Sequence, residues 1–387
     1  MADHFDIAIR GCGIVGRTLA LLLANQRLRV ALIQTAGASS AAGHSDVRAY
    51  SLNAAARALL ASVRCWPEGT AVTPVLQMQV FGDRGGELNF SAREQGVDAL
   101  NWMVDVPALE AQLASAVRFQ ALITELDEDT ANAPLTVICE GRASRTRAEL
   151  GVAFDVKAYA QHAVAARLHC ALPHGQTARQ WFQTEASATA ADQADQADIL
   201  ALLPIGGETS HEVALVWSVP PAKAHALMAL TESEFAQSLT QACHHSLGAM
   251  TLRSERAVWP LQLAQASPWV GSLPGHSGRS FALAGDAAHA MHPLAGQGLN
   301  VGLADVAELA RVLGAREFWR PLNDLKLLRR YARARQADVQ AMAWVTDQLQ
   351  NLFAQPGALW SPVRNWGLNA FNQSGPVKRW ATANAMR

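Results

Sequence analysis

The chain of 387 residues has little of what marks a polyanion binder, a membrane span or a disulfide scaffold. Its charges nearly cancel, 32 basic against 33 acidic for a net of -1, so no global basic field recruits nucleic acid. Charged residues make up only 17% and half of the chain is apolar, a globular rather than a disordered balance. The five cysteines (Cys12, Cys65, Cys139, Cys170, Cys243) are odd in number, scattered and never C-x-x-C, which argues against a disulfide framework or zinc ribbon and fits a reducing cytoplasm. No uncharged apolar run reaches the roughly 18 residues of a spanning helix, because Arg17, Asn25, Gln26, Arg27 and Arg29 break up the most apolar region. The opening MADHFDIAIRG lacks a basic segment ahead of an apolar block and does not read as a secretory signal. Repeats are missing as well, and His289 and His292, close in sequence, have no third metal ligand at hand.

What is present is a βαβ beginning. Residues 5–10 read as a buried strand, residues 14–27 carry helical spacing at Val15, Leu19, Leu22 and Leu23, and residues 30–33 form a second strand. Further on, the pattern predicts helices over 51–62 and 105–117, the latter with Pro107 in its first turn, and strands over 75–81 and 135–139. Strand-like HAVAARLHC and VALVWSV flank a low-complexity ADQADQAD stretch expected as a solvated loop or short helix. Residues 221–248 read as helical, 279–285 as a strand, 298–313 as a long helix and 323–353 as one or two more. This order predicts an α/β chain: a Rossmann-like domain from residues 1–70, 105–155 and 276–325, an inserted mostly β domain from 71–104 and 156–275, and a helical C-terminal region over 326–387.

Two motifs carry chemistry. Gly11-Cys12-Gly13-Ile14-Val15-Gly16 follows the first strand and opens a helix. Gly11 permits a tight turn, Gly13 lets backbone approach a pyrophosphate and Gly16 lets helix and strand pack closely. At the end of the second strand Gln34 replaces the acid that would accept ribose hydroxyls, at a cost of about 1 kcal/mol in charge assistance. The second motif is GDAAHAMHPLAGQGLN. Gly285-Asp286 ends a strand, placing an acid at its carboxyl edge, and Pro293 with the Gly296-Gln297-Gly298 turn precedes a helix N-terminus whose bare N–H groups suit an electron-rich ring edge.

With VRAYSLNAAARALL, LLPI, LVWSVP, WPLQ and RRYARARQ, these motifs resemble the FAD-dependent aromatic hydroxylases of the para-hydroxybenzoate hydroxylase superfamily, and more narrowly its ubiquinone-biosynthesis polyprenylphenol hydroxylases. The likeness spans nearly the whole chain. It implies FAD held by Gly11, Gly13, Gly16 and Gln34, with Arg48 reaching the pyrophosphate or flavin and Asp286 holding the ribityl chain. Gly296, Gln297, Gly298, Leu299 and Asn300 would fix the pyrimidine edge of the flavin. Pro293 and His289 stand as candidates at the reaction centre, His289 orienting substrate or capping the flavin pocket, with plain packing as its alternative. The resemblance further implies NADH or NADPH as transient reductant, a flavin C4a-hydroperoxide formed with dioxygen, and an aromatic, prenylated substrate. A cytoplasmic protein with peripheral contact at the inner membrane or with other ubiquinone-pathway proteins follows. The tail, with Trp344, Trp360, Trp366 and Trp380 among Arg364, Lys378 and Arg379, has a membrane-interface composition or simply packs the C-terminal helices.

Three departures from the family pattern stand out. Gln34 lacks the acid, Asp105-Val106-Pro107 lacks the family's arginine at the start of the third helix, and Glu140-Gly141 replaces a D-G pair. They motivate a first alternative, a weakly flavinated relative acting as a quinone- or lipid-binding scaffold. A second alternative is a hydroxylase of a soluble aromatic acid.

Overall fold

The computed structural model describes residues 4–34, 47–82, 86–127, 131–183, 198–290 and 298–354, with side chains to 340. The chain opens with strand β1 (Ile7–Arg10), helix α1 (Ile14–Asn25) and strand β2 (Val30–Ile33). Next come β3 (Ala49–Leu52), α2 (Ala54–Ser62), β4 (Val72–Val75), β5 (Gln77–Phe81), β6 (Glu87–Ser91), the single turn α3 (Ala92–Gln95) and β7 (Asn101–Asp105). Then follow α4 (Val106–Arg118), β8 (Ile123–Leu126), β9 (Leu135–Ile138) and the short α5 (Arg145–Glu149). A long strand β10 (Ala153–Cys170) leads into β11 (Thr177–Gln183), β12 (Asp198–Ile205) and β13 (Glu212–Val219). Helices α6 (Pro221–Ala229) and α7 (Glu232–Ala242) precede β14 (Met250–Leu252) and β15 (Ala257–Ser267). The last described stretch holds β16 (Val270–Ser272), β17 (Ser280–Leu283), β18 (His289–Ala290), α8 (Gly298–Gly314) and α9 (Leu325–Ala354).

Among the described residues the strands form three sheets. Six make the sheet β16-β17-β9-β1-β2-β8, parallel except at β16. β1 sits at its centre, with Ile7 opposite both Val30 and Leu135. Residues 7–9 are all buried because helices and a second apolar cluster cover the two faces, as a parallel sheet requires. α1 lays Leu19 and Leu23, both fully buried, into this core and packs beside α4 and α8. Asp105 starts α4 by accepting the Ala108 N–H at 3.1 Å, with Pro107 in the first turn where its missing donor is harmless.

The second sheet runs β18-β15-β10-β13-β12-β11-β5-β6, with β14 beside β10. β10 pairs with β15 on both sides of a register shift between Ala158 and His162, and its second half pairs with β13. One face is covered by α6 and α7 through Leu227, Phe235 and Leu239, which pack on Trp217 and Leu215. The other face meets the three-stranded sheet β3-β7-β4 through Val75, Met103, Leu203, Ile205 and Ala214.

Three details differ from the sequence pattern. β16, in a stretch expected with the insert, pairs with β17 in the six-stranded sheet. The helical run 221–248 is two helices, and it stops at Ala242 because His244 and His245 take left-handed backbone angles of 52° and 56°. The ADQADQAD stretch before Asp198, which opens β12, and most of the tryptophan-bearing tail lie outside the described residues.

Trp217 is 2% exposed, and its indole N–H has no partner among the described residues. Trp217→Ala should therefore destabilise the protein by about 3–5 kcal/mol. Trp217→Phe, which deletes an unpaired donor, should cost less than half of that. Denaturant midpoints measure both, and equal losses would show that the indole N–H is paired in solution.

Candidate active site

The glycine turn between β1 and α1 divides its work among three residues. Gly11 has φ +111°, and a Cβ there would stand 2.4 Å from the Cys139 carbonyl oxygen. At Gly16 the approach is tighter, since a Cβ would lie 1.9 Å from the Gly11 oxygen. Both glycines serve the crossing of helix and strand. Gly13 is different: among the described residues nothing lies within 4 Å of where its Cβ would be, and no side chain caps the start of α1. An open space in front of uncapped N–H groups is what a phosphate needs. Burial pushes the Cys12 thiol up to about 11, so it stays protonated beside that space.

Around the turn lie two of the departures. Gln34 is exposed just past β2, its backbone N–H donating to Leu126 O at 2.8 Å. Glu140 is occupied within the protein. Its carboxylate accepts from Arg10 Nε (3.1 Å), Ser144 Oγ (2.7 Å), Thr146 N (3.0 Å) and Thr146 Oγ1 (2.6 Å). Burial opposes its ionisation, yet these hydrogen bonds prevail and hold the carboxyl below the ordinary glutamate range.

The second motif crosses from one sheet to the other. β17 ends in the six-stranded sheet, residues 285–287 make a single 3-10 turn, and β18 pairs with β15, Gln265 opposite His289, in the second sheet. Residues 283–290 are buried except Asp286, whose side chain is exposed. Although the residue as a whole is exposed, desolvation of its carboxyl by the packed turn raises it above the ordinary range against the pull of His289, Arg142 and Arg48. This turn touches the first motif: Gly285 and Gly302 both lie against Val15, at 3.3 Å and 3.1 Å from where their Cβ atoms would be. Two loops some 270 residues apart in the chain thus converge on one edge of the sheet.

Several expected contacts are redirected. Asn300 donates from Nδ2 to Ser51 O (2.8 Å) and accepts at Oδ1 from Asn53 N (3.0 Å), so its amide ties α8 to the β3–α2 junction and is not free for a flavin edge. Leu299 is buried in the hydrophobic core. His289 is 2% exposed, stacked on Trp269 at 5.2 Å and bonded to Asp305, which removes it from contact with a substrate. Arg48 is exposed, with Nη1 donating to Tyr50 Oη at 3.3 Å. Its carbonyl accepts from Arg167 Nη2 (3.1 Å), while Arg167 Nη1 pairs with Asp105 at 2.6 Å. Gly298 opens α8 with clear space around it, and Pro293, Gly296 and Gln297 lie outside the described residues. The sequence reading missed Arg147, Asp305 and Arg335, which hold the Asp286 turn from below. Arg335 lies inside the RRYARARQ motif and Asp305 inside the helix expected over 298–313.

A mostly parallel sheet with a glycine turn opening a helix, an acid on a neighbouring turn and an inserted antiparallel sheet is the arrangement of a dinucleotide-binding fold. A family model described as FAD binding domain matches residues 88–345. The chain is 30% identical to ubiquinone hydroxylase UbiL of Rhodospirillum rubrum, covering 98% of this chain and 89% of that protein. It is 28% identical to 3-demethoxyubiquinol 3-hydroxylase of Escherichia coli, covering 98% of each. Among solved structures, a variant of Klebsiella pneumoniae HpxO complexed with FAD shares the fold, with a TM-score of 0.70 over 99% of this chain and 98% of that one at 14% identity. The chain belongs to the FAD-dependent aromatic hydroxylase family, and FAD is its cofactor.

Two tests follow. Gly16→Ala should destabilise the protein by about 3 kcal/mol or more, since backbone cannot yield to its methyl, whereas Gly13→Ala should leave stability within about 0.5 kcal/mol and weaken FAD binding. Paired thermal melts and FAD titrations separate the two; a stable Gly16→Ala protein would mean a looser crossing. Glu140 titrates below its ordinary value, so its charged form stabilises the fold above that value, and the benefit is lost as pH falls through the lowered pKa. Glu140→Gln should thus lower stability at pH 7, with the gap to wild type closing as pH falls through the lowered pKa. A gap that persists at lower pH would show that the charge is not what stabilises.

Proposed function

We propose that the protein hydroxylates the ring of a polyprenylated phenol in ubiquinone assembly, using NAD(P)H and dioxygen. The convergence of the Gly11–Gly16 turn with the Asp286 turn carries this reading, because it leaves one edge of the sheet equipped for an extended dinucleotide. The residues fit the cofactor: Gly13 and the first N–H groups of α1 face open space, and Asp286 is the exposed acid beside them. Gly13 and the α1 N-terminus would take the pyrophosphate, Asp286 the ribityl hydroxyls and Arg48 the nearby negative charge. By the family resemblance residues 296–298 and Pro293 would border the ring, and Gln34 would take the ribose as a neutral amide. Bound FAD, once reduced by NAD(P)H, supplies the activation of dioxygen, one oxygen atom entering the ring and the other leaving as water. The protein's share is to orient the phenol and exclude water.

The near-full-length likeness to two ubiquinone-pathway hydroxylases supports the choice of substrate. No helix of the described residues is long and apolar enough to cross a membrane. Peripheral contact with a bilayer belongs to the same reading: Phe318 and Trp319 stand 99% and 63% exposed between Arg316 and Arg320. One observation favours a soluble aromatic acid instead, a cavity of about 590 Å³ lined by Asp105, Arg167, His169, Ser210, His211 and Glu212. Its guanidinium, however, is already paired with Asp105.

The test is NAD(P)H oxidation by the FAD-loaded protein, with product analysis. A prenylated phenol should stimulate oxidation and be hydroxylated, whereas p-hydroxybenzoate should do neither; the reverse order supports the soluble-acid reading. Asp286→Ala should weaken FAD binding by roughly tenfold or more with little change in the melting temperature of the apoprotein. Unchanged FAD affinity would remove Asp286 from the site.

A further inference from the structure

We infer that Asp305 is the positioning residue of the cofactor turn, gripping both flanks of Asp286 so that this one side chain faces outward. The inference rests on the FAD reading above and adds to it a device inside the protein. Asp305 is fully buried on α8. Its Oδ2 accepts the Gly285 N–H at 2.9 Å, one residue before Asp286, and faces His289 Nε2 at 2.6 Å, three residues after it. Opposite a carboxylate, His289 Nε2 carries the proton and donates. Oδ1 accepts from Arg335 Nε at 2.8 Å, which brings in α9.

Other elements complete the grip. Tyr331 Oη donates to Leu283 O at 2.7 Å and Arg147 Nη1 donates to Ala287 O at 3.0 Å. The backbone is therefore held at 283, 285 and 287 by side chains of α9, α8 and α5 in turn. The Arg147 guanidinium also lies 3.5 Å over the Phe154 ring, and Trp269 stacks on the far side of the network against His289. Burial disfavours a charged Asp305, but His289 and Arg335 outweigh it and keep the carboxyl below its ordinary range.

Stability alone does not call for this arrangement, since apolar side chains of similar volume often replace a buried ionic cluster at no loss or with a gain. What an apolar set cannot do is bond the backbone before Asp286 and the side chain after it from a single carboxylate. The role of Asp305 is geometric, and it acts on the cofactor through Asp286.

The experiment is FAD titration of full-length apoprotein by flavin fluorescence, with apoprotein melting measured alongside. Asp305→Asn and His289→Leu should each weaken FAD about tenfold, while His289→Gln, which keeps a donor, should stay within about threefold of wild type. In an Asp286→Ala background, Asp305→Asn should weaken FAD no further, because the two act as one unit. Unchanged affinity in Asp305→Asn, or losses that add to those of Asp286→Ala, would overturn the inference. If Asp305→Asn does not fold, the contrast between His289→Leu and His289→Gln decides, and equal behaviour of those two sinks the proposal. A wild-type protein that leaves flavin fluorescence untouched sinks the FAD reading itself; normal wild-type binding with indifferent variants sinks the positioning role alone.

Discussion

Backbone meets backbone where β1 passes into α1, and the rest of the molecule is arranged around that contact. The sites of Gly11 and Gly16 leave no room for a methyl group, with Cys139 of the neighbouring strand pressed against Gly11. So close an approach fixes three things together: the angle of α1 to the sheet, the place of the β9 end, and the direction of the uncapped N–H groups. Glu140 follows Cys139 directly, and its four hydrogen bonds draw Arg10 and the start of α5 into the same edge. One steric constraint thereby sets the floor of the site.

A second fixture lies across the gap between sheets. Arg167, from β10 of the antiparallel sheet, reaches Asp105 at the cap of α4 and the carbonyl of Arg48 ahead of β3. β18 ties the end of the Asp286 turn to β15 of the same antiparallel sheet. Groups that would handle cofactor and groups that would handle substrate are thus fastened to one another at two points. The arrangement suits chemistry in which a ring must stand close to a reactive oxygen and water must stay out.

The βαβ opening was legible from the sequence because its signals are local: apolar spacing at Leu19 and Leu23, three glycines at fixed offsets, and a short return to β2. The Gly285-Asp286 pair was legible for the same reason, as was α8. What the sequence hid depends on distant partners. Asn300 reads as a helix-start residue near a ligand, but its amide is used by Ser51 and Asn53, some 249 residues away. Asp305 reads as an acid on an amphipathic helix; only Gly285 and His289 of the Asp286 turn and Arg335 of α9 make it a buried hub. The separate β3-β7-β4 sheet was likewise invisible, since each strand is short and its pairing is non-local. His244 and His245 fit a helical pattern by composition, and left-handed backbone angles, which composition does not report, end the helix before them.

The three departures from the family pattern do not weigh equally once the structure is in hand. Glu140 keeps its charge but directs it inward, to Arg10 and the α5 cap, so its longer side chain is absorbed by the fold. At the start of α4, Asp105 caps the helix and receives a guanidinium from Arg167, so a cation reaches that corner from β10 although the helix supplies none. Gln34 alone among the three remains exposed at the strand edge, with no such compensation in its side chain among the described residues. If Gln34 takes the ribose as proposed, the consequence falls on affinity there, of order 1 kcal/mol for a neutral in place of a charge-assisted hydrogen bond, and not on the geometry of the turns. A cofactor held by two converging turns would tolerate that loss, because the pyrophosphate and ribityl contacts proposed for Gly13 and Asp286 do not depend on the Gln34 side chain. The departures therefore point to a flavoprotein that binds FAD less tightly at one end, rather than to a scaffold that has lost it.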